Sequence, residues 1–110
     1  MDEEGSAMKA DLFWDVASAM QADDPAVVEG TIMGSACLRV GAEFLAMPHH
    51  QTGSLIVKLP RQRVDELVAS GSGRAFAPAG RIFKEWVEIV EPDETLWQEL
   101  LAEGRHFVAG

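Results

Sequence analysis

The chain has 110 residues, 47% of them hydrophobic and 25% charged, and a formal net charge of −9. This is the composition of one folded domain; with Cys37 as the only cysteine it excludes a disulfide scaffold, and it excludes a disordered or collagen-like chain. The charge is uneven: residues 1–29 carry −7, residues 30–90 carry +2 and residues 91–110 carry −4, so a mildly basic middle lies between acidic ends.

In chain order, residues 1–6 read as a flexible leader and residues 7–110 as the single domain. Leu12, Phe13, Val16, Ala17 and Met20 share one helical face, which predicts a helix over Ala7–Asp23 with Ser6 suited to the N-cap. Asp24 precedes Pro25, which disfavours helical backbone there. From Glu29 the period changes from helical to alternating. Thr31-Ile32-Met33 is β-prone, Gly34-Ser35 reads as a turn or bulge, and Ala36, Leu38 and Val40 alternate with Cys37 and Arg39. Gly41-Ala42 suits a two-residue hairpin turn, with Glu43–Met47 returning as its partner strand. Pro48–Gly53 reads as a polar loop. Ser54–Leu59 is a further strand, with Leu55, Val57 and Leu59 on one face and Ile56 and Lys58 on the other.

Pro60 opens a second helix with a Val64, Leu67, Val68 stripe, and Gly71 ends it. A loop then carries Arg74 and Phe76. Lys84–Val90 reads as a strand. The final helix starts near Asp93, a capping residue, and buries Trp97, Leu100, Leu101, Gly104, Phe107 and Val108. The expected order is α-β-β-β-β-α-β-α. It gives an α+β, two-layer domain with an antiparallel sheet of about five strands and helices on one face.

Three stretches carry a family resemblance. The first is Gly30–Ala46, with a methionine and glycine, an apolar strand, a Gly turn and a Phe-Leu-Ala strand. The second is Val57-Lys58-Leu59-Pro60 with Arg63-Val64 and Glu66-Leu67-Val68. The third is Phe76, Gly80-Arg81 and Lys84-Glu85-Trp86-Val87. Together they resemble the N-terminal domain of the TfoX/Sxy family, and more distantly the MmcQ/YjbR group of small proteins. Two positions depart from the family pattern: Gly34 follows Met33 directly where an aromatic is usual, and Thr31 replaces a frequent basic residue. The resemblance implies the α+β fold; it carries over neither transcriptional regulation nor any catalytic residue. The second domain of the regulator that names the family is not expected in this chain.

Candidate sites are sparse. His49-His50 lacks the spacing of a metal pair, since neighbours in an extended chain point to opposite sides. Cys37 reads as a buried structural thiol. Gly71-Ser72-Gly73 follows a helix and lacks phosphate-loop spacing. No catalytic residue, metal or cofactor is therefore expected. Arg39 and Lys58 fall on the strand face opposite the main apolar stripe. With Arg63 and Lys84 they form a candidate anion or nucleic-acid site, provided the four converge; Arg61, Arg74 and Arg81 come from the neighbouring helix and loop. The bland reading pairs these bases with Glu43, Glu85 and Glu88 across the sheet. Trp14, off the stripe of its helix, and Trp86 are candidate interface residues.

The reading is a small non-enzymatic binding domain that acts on a protein partner or by self-association. The alternative is nucleic-acid binding through a basic sheet face, which the charge of −9 opposes. A small-ligand site or an enzyme would require a pocket with convergent polar groups and a perturbed titratable residue. No apolar run is long enough for a membrane helix, and the acidic start is unlike a signal peptide, so the cytoplasm is the expected compartment.

Overall fold

The computed structural model describes residues 2–32 and 34–108, with the side chains of residues 8–32, 34–78 and 80–108. Met33, part of the first stretch above, lies outside the described residues. The helices are α1 (Asp2–Asp23), α2 (Arg61–Ser70) and α3 (Glu94–Val108). The strands are β1 (Val27–Ile32), β2 (Ser35–Val40), β3 (Glu43–Pro48), β4 (Leu55–Lys58), β5 (Arg74–Phe76) and β6 (Phe83–Ile89). They form one antiparallel sheet in the order β1-β2-β3-β4-β6-β5. The domain is α+β, as the patterning predicts.

Strand β1 starts at Val27, four residues before the β-prone Thr31, and two larger differences from the sequence reading fall at α1 and β5. Helix α1 begins at Asp2, so the expected leader is helical from its second residue and Ser6 lies inside the helix rather than capping it. The loop carrying Arg74 and Phe76 contains β5, a three-residue edge strand on β6. Three residues between Gly73 and Ala77 are too few to show alternation.

The turn chemistry acts as read. Gly41 has φ 62° between the paired Val40 and Glu43. Gly71, with φ 82°, ends α2 in the left-handed region. The Leu96 N–H donates to Asp93 Oδ1 at 3.0 Å, so Asp93 caps α3. A bulge pairs Leu38 with Ala46 and Arg39 with Phe44, leaving Leu45 as the extra residue; Leu45 and Ala46 both join the core beneath the helices.

All three helices cover one face of the sheet. Their core joins Phe13 and Val16, Val64 and Leu67, and Trp97 and Leu100 to the inward strand residues. Gly104 lets α3 settle on β4, because a Cβ there would lie 2.8 Å from the Lys58 carbonyl oxygen. The opposite sheet face has its own buried cluster of Cys37, Phe44, Met47, Ile56 and Phe76, flanked by Ile32, Phe83 and Trp86. Cys37 is a buried free thiol, in line with the sequence reading. No described helix is long and apolar enough to cross a membrane.

Candidate binding surfaces on the uncovered sheet face

A row of rings crosses the uncovered face. Phe44 stacks on Trp86 with centroids 4.1 Å apart, and Trp86 stacks in turn on Phe83 at 4.9 Å and Phe76 at 5.5 Å. The strand registers produce this, because Phe44 lies opposite Arg39, Phe76 opposite Phe83, and Trp86 opposite Lys58. Two clefts border the row, one at each end of β6.

At the Phe83 end, Lys58, Arg61, Arg81 and Lys84 line a depression of about 430 Å³ with Phe83 and Trp86. Glu85 is the one acid in its wall. The Arg81 guanidinium carbon lies 5.6 Å from the Phe83 centroid, a cation–π contact. The depression continues into an apolar hollow against α2, bordered by Val68 and Ile82, which are 41% and 61% exposed.

The four cations singled out from sequence do not converge. Lys58 and Lys84 share this depression. Arg63 is turned into the helical layer, where its Nε donates to Glu103 Oε1 at 2.9 Å and an N–H of Nη1 donates to Glu66 Oε1 at 3.3 Å. Arg39 lies on the uncovered face, but an N–H of its Nη2 donates to the Thr31 carbonyl at 2.7 Å. Helical periodicity on α2 could not show that Glu103, 40 residues away, would claim Arg63. Arg61 and Arg81 take the vacated places. They follow β4 and precede β6, and the pairing of Lys58 with Trp86 brings those chain ends together. The cross-strand pairs foreseen with Glu43 and Glu88 form at Lys58 (3.7 Å) and Arg74 (3.1 Å).

The two candidate interface tryptophans lie on opposite sides of the sheet. Trp14 packs its ring edge-on to Phe13 at 4.8 Å and rests against the helix-side core. Trp86, half-buried, belongs to the aromatic row.

At the other end of β6 lies a cleft of about 610 Å³ over Met47 and Phe76. Glu88, only 4% exposed, lies in its wall. Arg74 donates to Glu88 from Nε at 3.1 Å and from Nη2 at 3.4 Å, and the Thr52 hydroxyl donates at 3.3 Å. His49 and His50 stack at 4.9 Å instead of pointing apart, because they enter a turn and are not part of an extended chain. The backbone N–H groups of Gln51 and Thr52 donate to His49 Nδ1, so the proton of the neutral ring sits on Nε2. Burial, the largest influence, lowers the His49 pKa; Glu88 opposes this, while His50 and Arg74 add to it. Among the described residues, no group of three or more His, Cys, Asp or Glu is placed to hold a metal ion.

Sequence reasoning missed this second cleft. Its signal was Glu88 on the strand face of Trp86, a carboxylate at a position otherwise flanked by apolar residues. No protein family, curated protein or solved structure matches the chain.

Proposed function

We propose that the chain is a non-enzymatic binding domain that docks a short acidic segment of a protein partner, carrying apolar residues, in the depression between Lys58 and Lys84. One observation carries this reading. In a chain of net charge −9, four of the nine basic residues line one depression with a single acid, beside exposed Ile82 and Val68. Acidic side chains would meet the cations, and an apolar neighbour would fill the hollow against α2. The four cations and Glu85 carry +3, so the rest of the chain carries −12. A short segment stays within the basic surface, whereas a long polyanion runs onto the acidic remainder and is repelled. Resemblance to the TfoX/Sxy N-terminal domain is compatible with a binding role and brings no catalytic residues.

Nucleic-acid binding is the second reading, favoured by the contact of Arg81 with Phe83 beside the half-buried Trp86. One anisotropy experiment separates the two. A labelled peptide alternating Glu and Leu and a labelled random-sequence duplex are each titrated at near-physiological salt. The expected result is saturable peptide binding, weakened at least about tenfold by the Arg81→Glu, Lys84→Glu double variant, with little duplex binding. Peptide binding unchanged by the double variant overturns the assignment of the surface. Duplex binding without peptide binding replaces the protein partner with nucleic acid.

A further inference from the structure

The cleft over Phe76 shares no lining residue with the depression between Lys58 and Lys84, and only Ala75 with the hollow against α2. It has what a small-ligand site requires: an apolar floor, a few fixed polar groups and a titratable ring shifted by its surroundings. Glu88 is the only charged residue among the described residues that is buried, and Ser54 the only other polar one. Burying a carboxylate opposes folding unless it is paired and hydrogen-bonded. Here Arg74 and Thr52 supply the pairing and the hydrogen bonds. Glu88 lies between Ile56 of β4, an apolar residue of the buried cluster, and Arg74 of the edge strand β5.

We propose that this cleft binds an uncharged, flat, single-ring amide or heterocycle. Charge balance decides the class. Among the described residues Arg74 and Glu88 are the only charged groups in the wall, and they cancel. An anionic ligand would compete with Glu88 for Arg74, and a cationic ligand would compete with Arg74 for Glu88. Either leaves one member of the pair short of its partner. An uncharged ring disturbs neither. The stacked imidazoles of His49 and His50 and the ring of Phe76, 6.4 Å from His49 and edge-on to it, offer flat faces. The fixed tautomer of His49 offers an Nε2–H to a ligand carbonyl, and Arg74, whose side chain is 61% exposed, keeps Nη1 unused by Glu88.

Three rings of one shape test the charge argument: benzamide, benzoate and benzamidine, each titrated into the labelled full chain and followed by amide chemical shifts. Benzamide is expected to give saturable shifts at Gln51, Thr52 and Phe76 in the millimolar range. The two charged rings are expected to bind at least about fivefold more weakly. His49→Asn retains an acceptor for the turn N–H groups and removes the ring; it should abolish the shifts while leaving the rest of the spectrum in place. Phe76→Leu retains the buried volume and should weaken benzamide alone, and Lys84→Ala should have no effect. The proposal is overturned if benzamide gives no saturable shift, if either charged ring binds as well, or if binding survives in both His49→Asn and Phe76→Leu.

Discussion

Beneath the helices, Leu38, Leu45, Leu55, Val57, Val87 and Ile89 are shielded because α1, α2 and α3 lie on them; on the other face Cys37 and Ile56 are equally buried with no helix above. The covered face is closed by secondary structure that brings Phe13, Trp97 and Leu100 from distant parts of the chain. The uncovered face is closed by its own rings and by long polar side chains, among them Arg39, Lys58 and Arg74. A helix cannot leave its sheet without losing much of the core, but rings and guanidinium groups rearrange at little cost. The contrast separates a rigid face from an adaptable one, and both candidate clefts lie on the second.

The largest expected effect belongs to the covered face. Trp97 is fully buried and its Nε1–H donates to the Glu91 carbonyl at 3.0 Å. Trp97→Ala is expected to cost about 3–5 kcal/mol in urea unfolding. Phe44→Leu, on the uncovered face, should cost about 1 kcal/mol, because neighbouring rings can close over the smaller side chain. Equal losses would erase the distinction between the faces. The Arg74–Glu88 pair supplies a sharper test. Arg74→Ala leaves a carboxylate unpaired at 4% exposure and should cost about 2–3 kcal/mol, whereas Glu88→Gln leaves an arginine that can turn to water and should cost about 1 kcal/mol. The reverse order would mean that Glu88 is solvated in the native state.

The covered face was far more legible in the sequence than the uncovered one, for a physical reason. Alternation identifies which strand residues share a face, and the stripes of α1, α2 and α3 identify what lies on them. That is enough to place Leu55, Val57 and Trp97. The unbroken run Phe44-Leu45-Ala46-Met47 signals a strand buried on both faces, but it does not reveal what closes the second face. Closure depends on cross-strand register, and a bulge between Leu38 and Arg39 shifts that register. Arg61 and Arg81 fall beside Lys58 and Lys84 only once β4 and β6 are paired, and Arg63 is drawn away by Glu103 of α3, a contact that periodicity does not encode.

A smaller effect probes the edge of the uncovered face. Gly30 lies on the edge strand β1, and Arg39 crosses over it to reach the Thr31 carbonyl. A Cβ at Gly30 would come within 2.7 Å of Arg39 Cδ and Nε, atoms of a flexible side chain that can move aside. Gly30→Ala should therefore cost only about 1 kcal/mol, the strain being released as the Arg39 contact is lost. Freed of its arginine, the Thr31 carbonyl becomes available to a second strand. Sedimentation of the variant should show more association than the parent chain at equal concentration. A loss well beyond this range would mean that Arg39 is fixed as firmly as the helix-side core.

The smallest effect is a pH dependence confined to the uncovered face. Burial disfavours the charged form of His49 in the folded chain, with His50 and Arg74 adding to the shift and Glu88 opposing it. In the unfolded chain the ring takes up its proton near the ordinary value of 6.5, and in the folded chain only at lower pH. The unfolded state therefore binds more protons between these two values, and stability falls as pH drops through that window. The contribution of His49 is complete above pH 6.5 and levels off once the folded ring is itself protonated. Asp24, whose carboxyl is held below 3.8 chiefly by its hydrogen bond from Arg105, contributes a separate loss in a more acidic range. Thermal unfolding measured from pH 7.5 down to pH 5 should thus show a decline that His49→Asn flattens and Arg105→Gln leaves unchanged. If His49→Asn retains the full decline, the ring is already exposed to water in the folded chain. The cleft over Phe76 would then lack the partly buried imidazole face proposed for its ligand.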